Sequence, residues 1–311
     1  MKVLVTGANG FIGREVTERL CQRGYEVHAV ARNPIEISGA VWHRVDLMDD
    51  LAVSRLLSDL KPSHLMHLAW TTEPGKFWSS LDNHHWERAT RGLFDLFAGN
   101  GGRRFVGAGS VAEYVWNENP CCESVTESEP DTLYGKAKLA TFRYIHERAR
   151  ESGIADAWGR IFWLYGPHEH PLRLIPHVVT GILQGRTVDC SSGEQRRDFM
   201  HVYDVAEAFV RLIESDVVGP INVASGSAVA VKDIIAHIAD VLDGRHLIRL
   251  GAIASDRVES EIVRADVSRL STELLFAPQH SLEDGLNATI AWWKAKLGSE
   301  SSPAFHGVVP K

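Results

Sequence analysis

Tyr134 and Lys138 stand four residues apart in "LYGKAKLA", a spacing that puts both side chains on one face of a helix. A phenol with a pKa near ~10 transfers protons poorly at neutral pH, and an ammonium beside it favours the phenolate and lowers that value. Such a pair can exchange a proton with a substrate oxygen. Y-x-x-x-K spacings also arise on helices by chance, so the weight rests on a third residue. Ser110, 24 residues upstream in "GSVAEY", closes the apolar run "RRFVGAG" and is predicted to sit at a strand end.

A second constellation opens the chain. "VTGANGFIG" places Gly7, Gly10 and Gly13 between a β-branched run and the helical stretch "REVTERL". Gly7 permits a tight turn and Gly10 lets the backbone approach a pyrophosphate. Gly13 allows close packing, and the following helix offers free N–H groups, with Phe11 and Ile12 in its first turn. The spacing is G-x-x-G-x-x-G rather than the more usual G-x-G-x-x-G. A dinucleotide is the predicted ligand.

The next strand says which dinucleotide. In "VHAVARNP" the strand ends at Ala31, where a carboxylate usually hydrogen-bonds the adenosine ribose, and Arg32 follows. An acid there favours the free 2′-hydroxyl of NAD, whereas an arginine pairs with a 2′-phosphate. The stretch therefore favours NADP(H) over NAD(H).

The elements that must hold these residues alternate. Short β-branched runs ("KVLVTG", "EVHAVA", "AVWHRVD", "HLMHLAW", "RRFVGAGS", "ADAWGRIFWLYG") are separated by helical stretches, including about 79–100 and 134–151. That rhythm predicts an α/β fold with a doubly wound parallel sheet. After Pro167 the pattern becomes mixed, which predicts a smaller α/β substrate domain. The expected division is 1–166 plus about 202–224 for the dinucleotide domain, about 167–201 plus 225–297 for the substrate domain, and a poorly ordered tail over 298–311.

Taken together these motifs resemble the extended short-chain dehydrogenase/reductase family, the nucleotide-sugar epimerases, dehydratases and ketoreductases, over about 1–297. The resemblance implies a Rossmann dinucleotide fold and assigns roles to matching residues. Ser110 hydrogen-bonds the reacting oxygen, Tyr134 gives or takes its proton, and Lys138 also holds the nicotinamide ribose. "DLMD" implicates Asp46 and Leu47 at adenine, and "HLAW" places Leu68 and Ala69 along the cofactor, as Phe162 also does. "WGRIFWLYGP" matches the family's R-x-F-N-x-Y-G-P except at Trp163, where an asparagine usually contacts substrate; Trp163 is read as a stacking wall. "RRDFMHVYDVA" implies that Arg197 grips a diphosphate, with Asp198 and Asp204 fixing the turn and capping the next helix. His168, in "HEH", is read as a polar substrate-side residue; no third metal ligand is placed by sequence, and no metal is expected. The two long helices resemble those that pair in family homodimers.

Departures from the family pattern narrow the reaction. Its 4,6-dehydratases carry an Asp-Glu pair after the catalytic hydroxyl residue, and this chain has Val111 and Ala112, which transfer no proton. Glu113 comes next, and alternation along a strand would turn it aside. The leading expectation is an NADPH-dependent reductase of a keto group, at C4, on a nucleotide-linked deoxysugar. The alternatives are a nucleotide-sugar 4-epimerase that retains NAD and, from another class, a non-catalytic NADP(H)-binding sensor or scaffold. Some relatives reduce small carbonyl compounds instead.

The whole composition sets the outer bounds. The chain has 311 residues, 44% hydrophobic and 23% charged, with a formal net charge of −7. That acidic balance, with no basic stripe, argues against nucleic-acid binding. No apolar run reaches membrane-spanning length, and a strand starting at Lys2 leaves no room for a signal peptide, so a soluble cytoplasmic protein is expected. Cys21, Cys121, Cys122 and Cys190 lack metal spacing and read as reduced thiols.

Overall fold

The computed structural model describes residues 1–254 and 260–300. In chain order the first half runs β1 (Lys2–Thr6), α1 (Phe11–Gln22), β2 (Glu26–Ala31), β3 (Ala40–Arg44), α2 (Asp50–Leu60), β4 (His64–His67), α3 (Asp82–Gly99), β5 (Arg104–Ser110), α4 (Leu133–Ser152) and β6 (Ala155–Ile161). There follow β7 (Trp163–Tyr165), α5 (Leu174–Leu183), β8 (Val188–Asp189), β9 (Arg196–His201), α6 (Val202–Glu214), β10 (Gly219–Val223) and β11 (Ala228–Ala230). The chain closes with α7 (Val231–Val241), β12 (Ile248–Arg249), β13 (Ile262–Val263), α8 (Ser268–Thr272) and α9 (Leu282–Glu300).

Seven strands form one parallel sheet in the order β10-β6-β5-β4-β1-β2-β3. Its inner strands read as nearly unbroken apolar runs because helices cover both faces. Val3, Val5, Ala29, Met66, Val106 and Ala157 face one core layer, with α1 and α6, and Leu4, Val30, Leu65, Phe105 and Trp158 face the other. Strand order reverses between β1 and β4, so the crevice at their carboxyl ends is where such a sheet takes a ligand. Local chemistry sets the helix ends. Asp49 accepts the Leu51 and Ala52 amides ahead of α2, Thr132 accepts Gly135 N–H ahead of α4, and Gly153 closes α4 at φ +68°.

The run "ADAWGRIFWLYG" is expected to be one strand, and the structure breaks it at Phe162. β6 stays between β5 and β10, while β7 pairs with β9 in a second sheet that also holds β11 and β13. The exchange of neighbours, not any turn residue, ends the first strand. α5, α7 and α9 bury Tyr165, Val178, Ile235, Ile290 and Trp293 against this second sheet.

α3 begins at Asp82, three residues later than expected, because 70–81 folds back over the sheet end. α9 continues through Glu300, so the tail expected from 298 begins inside a helix; 301–311 lie outside the described residues. All four cysteines are free, with Cys121 and Cys190 buried. Among the described residues no helix is long and apolar enough to cross a membrane.

The tightest constraint at the glycine turn is at Gly13, in the first turn of α1. A Cβ there would stand 2.0 Å from the Gly7 carbonyl oxygen and 2.9 Å from Ala8 Cα, both backbone atoms that have nowhere to go. Gly13→Ala is expected to cost about 1–3 kcal/mol through forced displacement of the turn, read as a thermal midpoint several degrees lower, with weakened dinucleotide binding alongside.

Candidate active site

β1 delivers the glycine turn to the switch point. Gly7 adopts φ +68°, and a Cβ there would meet Ala69 N at 2.8 Å, so the turn lies directly against the Leu68–Ala69 strand exit. Gly10 N donates to Gly7 O at 2.9 Å and opens α1 with no side-chain cap. The first-turn amides of Phe11 and Ile12 thus have no side chain over them, the arrangement a pyrophosphate requires.

At the adenosine end of this crevice a cleft of about 360 Å³ is lined by Arg32, Asp46, Met48, Thr71 and Trp86, with others from α3. Asp46 is exposed and takes the Met48 amide at 3.0 Å, while Leu47 is buried beneath it. Arg32 is exposed and has no hydrogen-bond or ion-pair partner among the described residues. The cradle, the open helix end and the cleft together fit a dinucleotide.

The three residues expected to be catalytic, Ser110, Tyr134 and Lys138, come together at the end of β5 and the start of α4. Ser110 closes β5, and its hydroxyl accepts from Ala112 N at 3.2 Å at the head of a short 3₁₀ turn. Tyr134 is 7% exposed, and its backbone N–H donates to Trp78 O at 3.1 Å. Burial pushes its phenol up to about 12, against the pull of its hydrogen bond with Ser110. Lys138 donates to Ala108 O at 2.9 Å and lies 3.9 Å from the centre of the Trp70 ring. Desolvation pulls it down to about 7, partly offset by the charge of Glu113.

Here the expected electrostatics is corrected. Burial raises the Tyr134 phenol although Lys138 is near it; the ammonium is turned to a carbonyl and an indole face, and the same dry surroundings discourage charge on both groups. Those surroundings come from Trp70, Phe77 and Trp78. Phe77 and Trp78 meet the Tyr134 ring edge-on at 4.9 and 5.8 Å. Sequence reading misses this wall, whose one signal is the "FW" pair inside the otherwise polar "TTEPGKFWSS".

Glu113 stands elsewhere than strand alternation suggests, because residues 111–113 have left the strand for the 3₁₀ turn. Its carboxylate is fully buried and accepts from Ser110 N at 2.8 Å, Trp158 Nε1 at 2.9 Å and Arg160 Nε at 2.8 Å. Its three donors give it a positioning role.

The substrate-side residues are placed as follows. Phe162 is 4% exposed and packs with Val111 and Ala224. Trp163 lies 5.6 Å from Trp116, and the Arg197 guanidinium sits 5.2 Å from the Trp163 ring. Arg197 is itself buried and donates to the carbonyls of Arg196 and Ser260 at 2.8 and 3.0 Å. His168 is placed apart from Ser110 and Tyr134: its ring packs 4.5 Å from Trp292 on α9, and burial, with Arg14 and Lys296 nearby, lowers it to about 4. Glu169 beside it is buried and pushed up to about 8. Among the described residues no group of three His, Cys, Asp or Glu gathers as a metal site.

Asp198 fixes a turn by accepting from Ser225 N, Gly226 N and Ala265 N. Asp204 is no helix cap. His201 occupies that position, and Asp204 instead anchors the amides of Gln279 and His280.

Residues 3–224 match the model of the NAD dependent epimerase/dehydratase family. The chain belongs to that family. It is 23% identical to a dTDP-glucose 4,6-dehydratase of Shigella flexneri, covering 95% of this chain and 93% of that protein. Among solved structures it is similar to MoeE5 in complex with UDP-glucuronic acid and NAD (29% identity, TM-score 0.84, 95% and 100% of the two chains). The fold is also shared with a UDP-glucose 4-epimerase of Thermus thermophilus in complex with NAD (22% identity, TM-score 0.84, 94% and 99%). This is therefore an NAD(P)-dependent enzyme family of oxidoreductase and epimerase type.

Two measurements probe the site's electrostatics. Glu113→Gln leaves the buried Arg160 charge without its counter-ion, and a loss of about 3–5 kcal/mol is expected by denaturant unfolding. Lys138 loses its proton near pH 7 when folded and near 10.5 when unfolded. Between those values unfolding takes up a proton, so stability measured without added dinucleotide rises with pH across that window. Lys138→Met should flatten that rise.

Proposed function

We propose that the protein is an NADPH-dependent reductase of a C4 keto group on a nucleotide-linked deoxysugar. The observation that carries this reading is Arg32: a guanidinium without a partner stands where an acid would select the free ribose of NAD. An epimerase recycles its hydride within one turnover and draws nothing from NADPH, whereas a net reductase consumes it each cycle.

Gly7, Gly10, Phe11, Ile12 and Gly13 would hold the pyrophosphate, Arg32, Asp46 and Leu47 the adenosine, and Leu68, Ala69 and Lys138 the nicotinamide half. A dinucleotide held by these residues would supply the hydride for reduction of the carbonyl carbon. Ser110 hydrogen-bonds the carbonyl oxygen, Tyr134 delivers its O–H proton to it, and the C=O becomes CH–OH. The wall of Trp70, Phe77 and Trp78 excludes water from the transfer. Val111 and Ala112, both buried, offer no acid or base for dehydration. Arg197 and Trp163 are assigned to the diphosphate and sugar; His168, packed on Trp292, has no part in this reading, and a homodimer through α3 and α4 belongs to it.

The second reading is a nucleotide-sugar 4-epimerase that retains NAD. MoeE5, solved with a UDP-sugar and NAD, favours it, and it uses the same three catalytic residues.

Cofactor identity decides between them. Purified protein with no bound dinucleotide and a clear preference for NADPH over NADH in fluorescence titration is expected, followed by NADPH consumption on 4-keto-sugar nucleotides. NAD that survives purification would put the epimerase first. Tyr134→Phe should abolish turnover while leaving dinucleotide affinity within about threefold, a change of under ~1 kcal/mol. Full activity in that variant would remove the proton-donor assignment.

A further inference from the structure

The cleft at the adenosine end holds more than the strand-end arginine. Arg88, on the exposed face of α3, lines it together with Arg32. Sequence reading does not single it out, because it lies 56 residues from Arg32 on a helix whose charges look like an ordinary solvated face. The structure separates it from its neighbours. Glu87, the adjacent acid, is taken by Arg91 at 2.5 Å. Asp82, also on the cleft, lies 3.7 Å from His85, and Asp46 accepts the Met48 amide. Arg88, like Arg32, has no hydrogen-bond or ion-pair partner among the described residues. Two forked, permanently charged donors thus line one cavity, one just after β2 and one on α3.

We propose that Arg32 and Arg88 form a two-arginine clamp for the 2′-phosphate of NADP(H), with Arg88 as a specificity-determining residue contributed by α3. A phosphomonoester presents several acceptor oxygens, and one guanidinium satisfies two of them at most in a bidentate pair. A second guanidinium on the same cleft takes the remainder and offsets the repulsion from Asp46 and Asp82. Trp86, whose Nε1 donates to Thr71 Oγ1 at 2.8 Å, ties the α3 wall to the strand exit and so fixes the width of the cleft.

The proposal rests on the NADPH reading and sharpens it. Its test uses ligands that probe only the adenosine end, so that no turnover is needed. Wild-type protein, Arg88→Ala and Arg32→Ala are titrated by calorimetry with adenosine 2′,5′-bisphosphate, 5′-AMP, NADP⁺ and NAD⁺. Arg88 is exposed and makes no internal bond, so its replacement leaves the fold intact; circular dichroism checks this. Wild type is expected to prefer the bisphosphate to 5′-AMP by about tenfold or more, the scale of one charge-assisted contact. Arg88→Ala should remove most of that preference and weaken NADP⁺ in proportion, with 5′-AMP and NAD⁺ changed less than about twofold. Equal weakening of all four ligands, or no change in any, overturns the role of Arg88. If wild type keeps its 2′-phosphate preference while Arg88→Ala does too and Arg32→Ala loses it, the clamp falls and the NADPH reading stands. If wild type itself shows no such preference, both fall together.

Discussion

The buried carboxylate of Glu113 is the interaction on which the geometry of the catalytic end depends. It is fully enclosed, and its two oxygens gather three donors from three places: the Ser110 amide at the end of β5, the Trp158 indole and the Arg160 guanidinium on β6. Each donor is costly to strand away from water, so the carboxylate locks strand end, turn and neighbouring strand together. The glycines of "GAGS" follow from it. A Cβ at Gly107 or Gly109 would meet the Trp158 ring at 2.3 Å. Only bare backbone lets that indole lie across β5 and reach the acid. With Trp158 in place, Ala108 O is left to receive Lys138, and Ser110 is presented toward Tyr134.

The second controlling feature is dryness. The segment 70–81 is pinned at several points: Trp70 Nε1 donates to Asn83 Oδ1, Asn83 Nδ2 to Phe77 O, and Arg173 to Thr72 O. Pinned there, it lays aromatic rings over the phenol and the ammonium. An acid and a base brought into the same low-dielectric pocket both shift toward their neutral forms, which is why Tyr134 rises and Lys138 falls. His67 behind them follows the same rule. Lowered to about 3 by burial and by Lys138, it sits neutral between Thr6 and Thr90 hydroxyls. A site arranged this way keeps its acid and its bases in their neutral forms.

How much of this can be read from the sequence follows from how local each feature is. The glycine turn, the Tyr134–Lys138 spacing and the alternation of strands and helices are properties of short windows, and the parallel sheet and the family follow from them. Features that depend on pairing across the chain are not legible. Nothing within "RIFWLY" marks the point where one sheet hands over to another, because that is decided by β9 more than thirty residues later. Asp204 reads as a cap from its place near a helix start, yet its partners at Gln279 and His280 lie some 75 residues away. The Tyr134 shift runs against expectation for a related reason: charge proximity is visible in an i, i+4 spacing, whereas burial by a distant loop is not.

Charge placement ties these levels together. The chain is acidic overall, yet guanidinium groups stand in two places: Arg32 and Arg88 line one cleft, while Arg173 packs on Phe77 and Arg197 on Trp163. They are held differently. Arg197 is buried against Trp163 and bonded to backbone carbonyls, so its direction is set before any ligand arrives. Arg32 and Arg88 are exposed and unbonded, and they give up solvent contact and side-chain freedom only when an anion binds. A preset cation favours one geometry of one anion; a pair of free ones favours an added charge over its absence. On the proposed reading, the substrate end would orient its ligand and the adenosine end would discriminate between ligands. Between them lies Lys138, drawn toward neutrality by its surroundings.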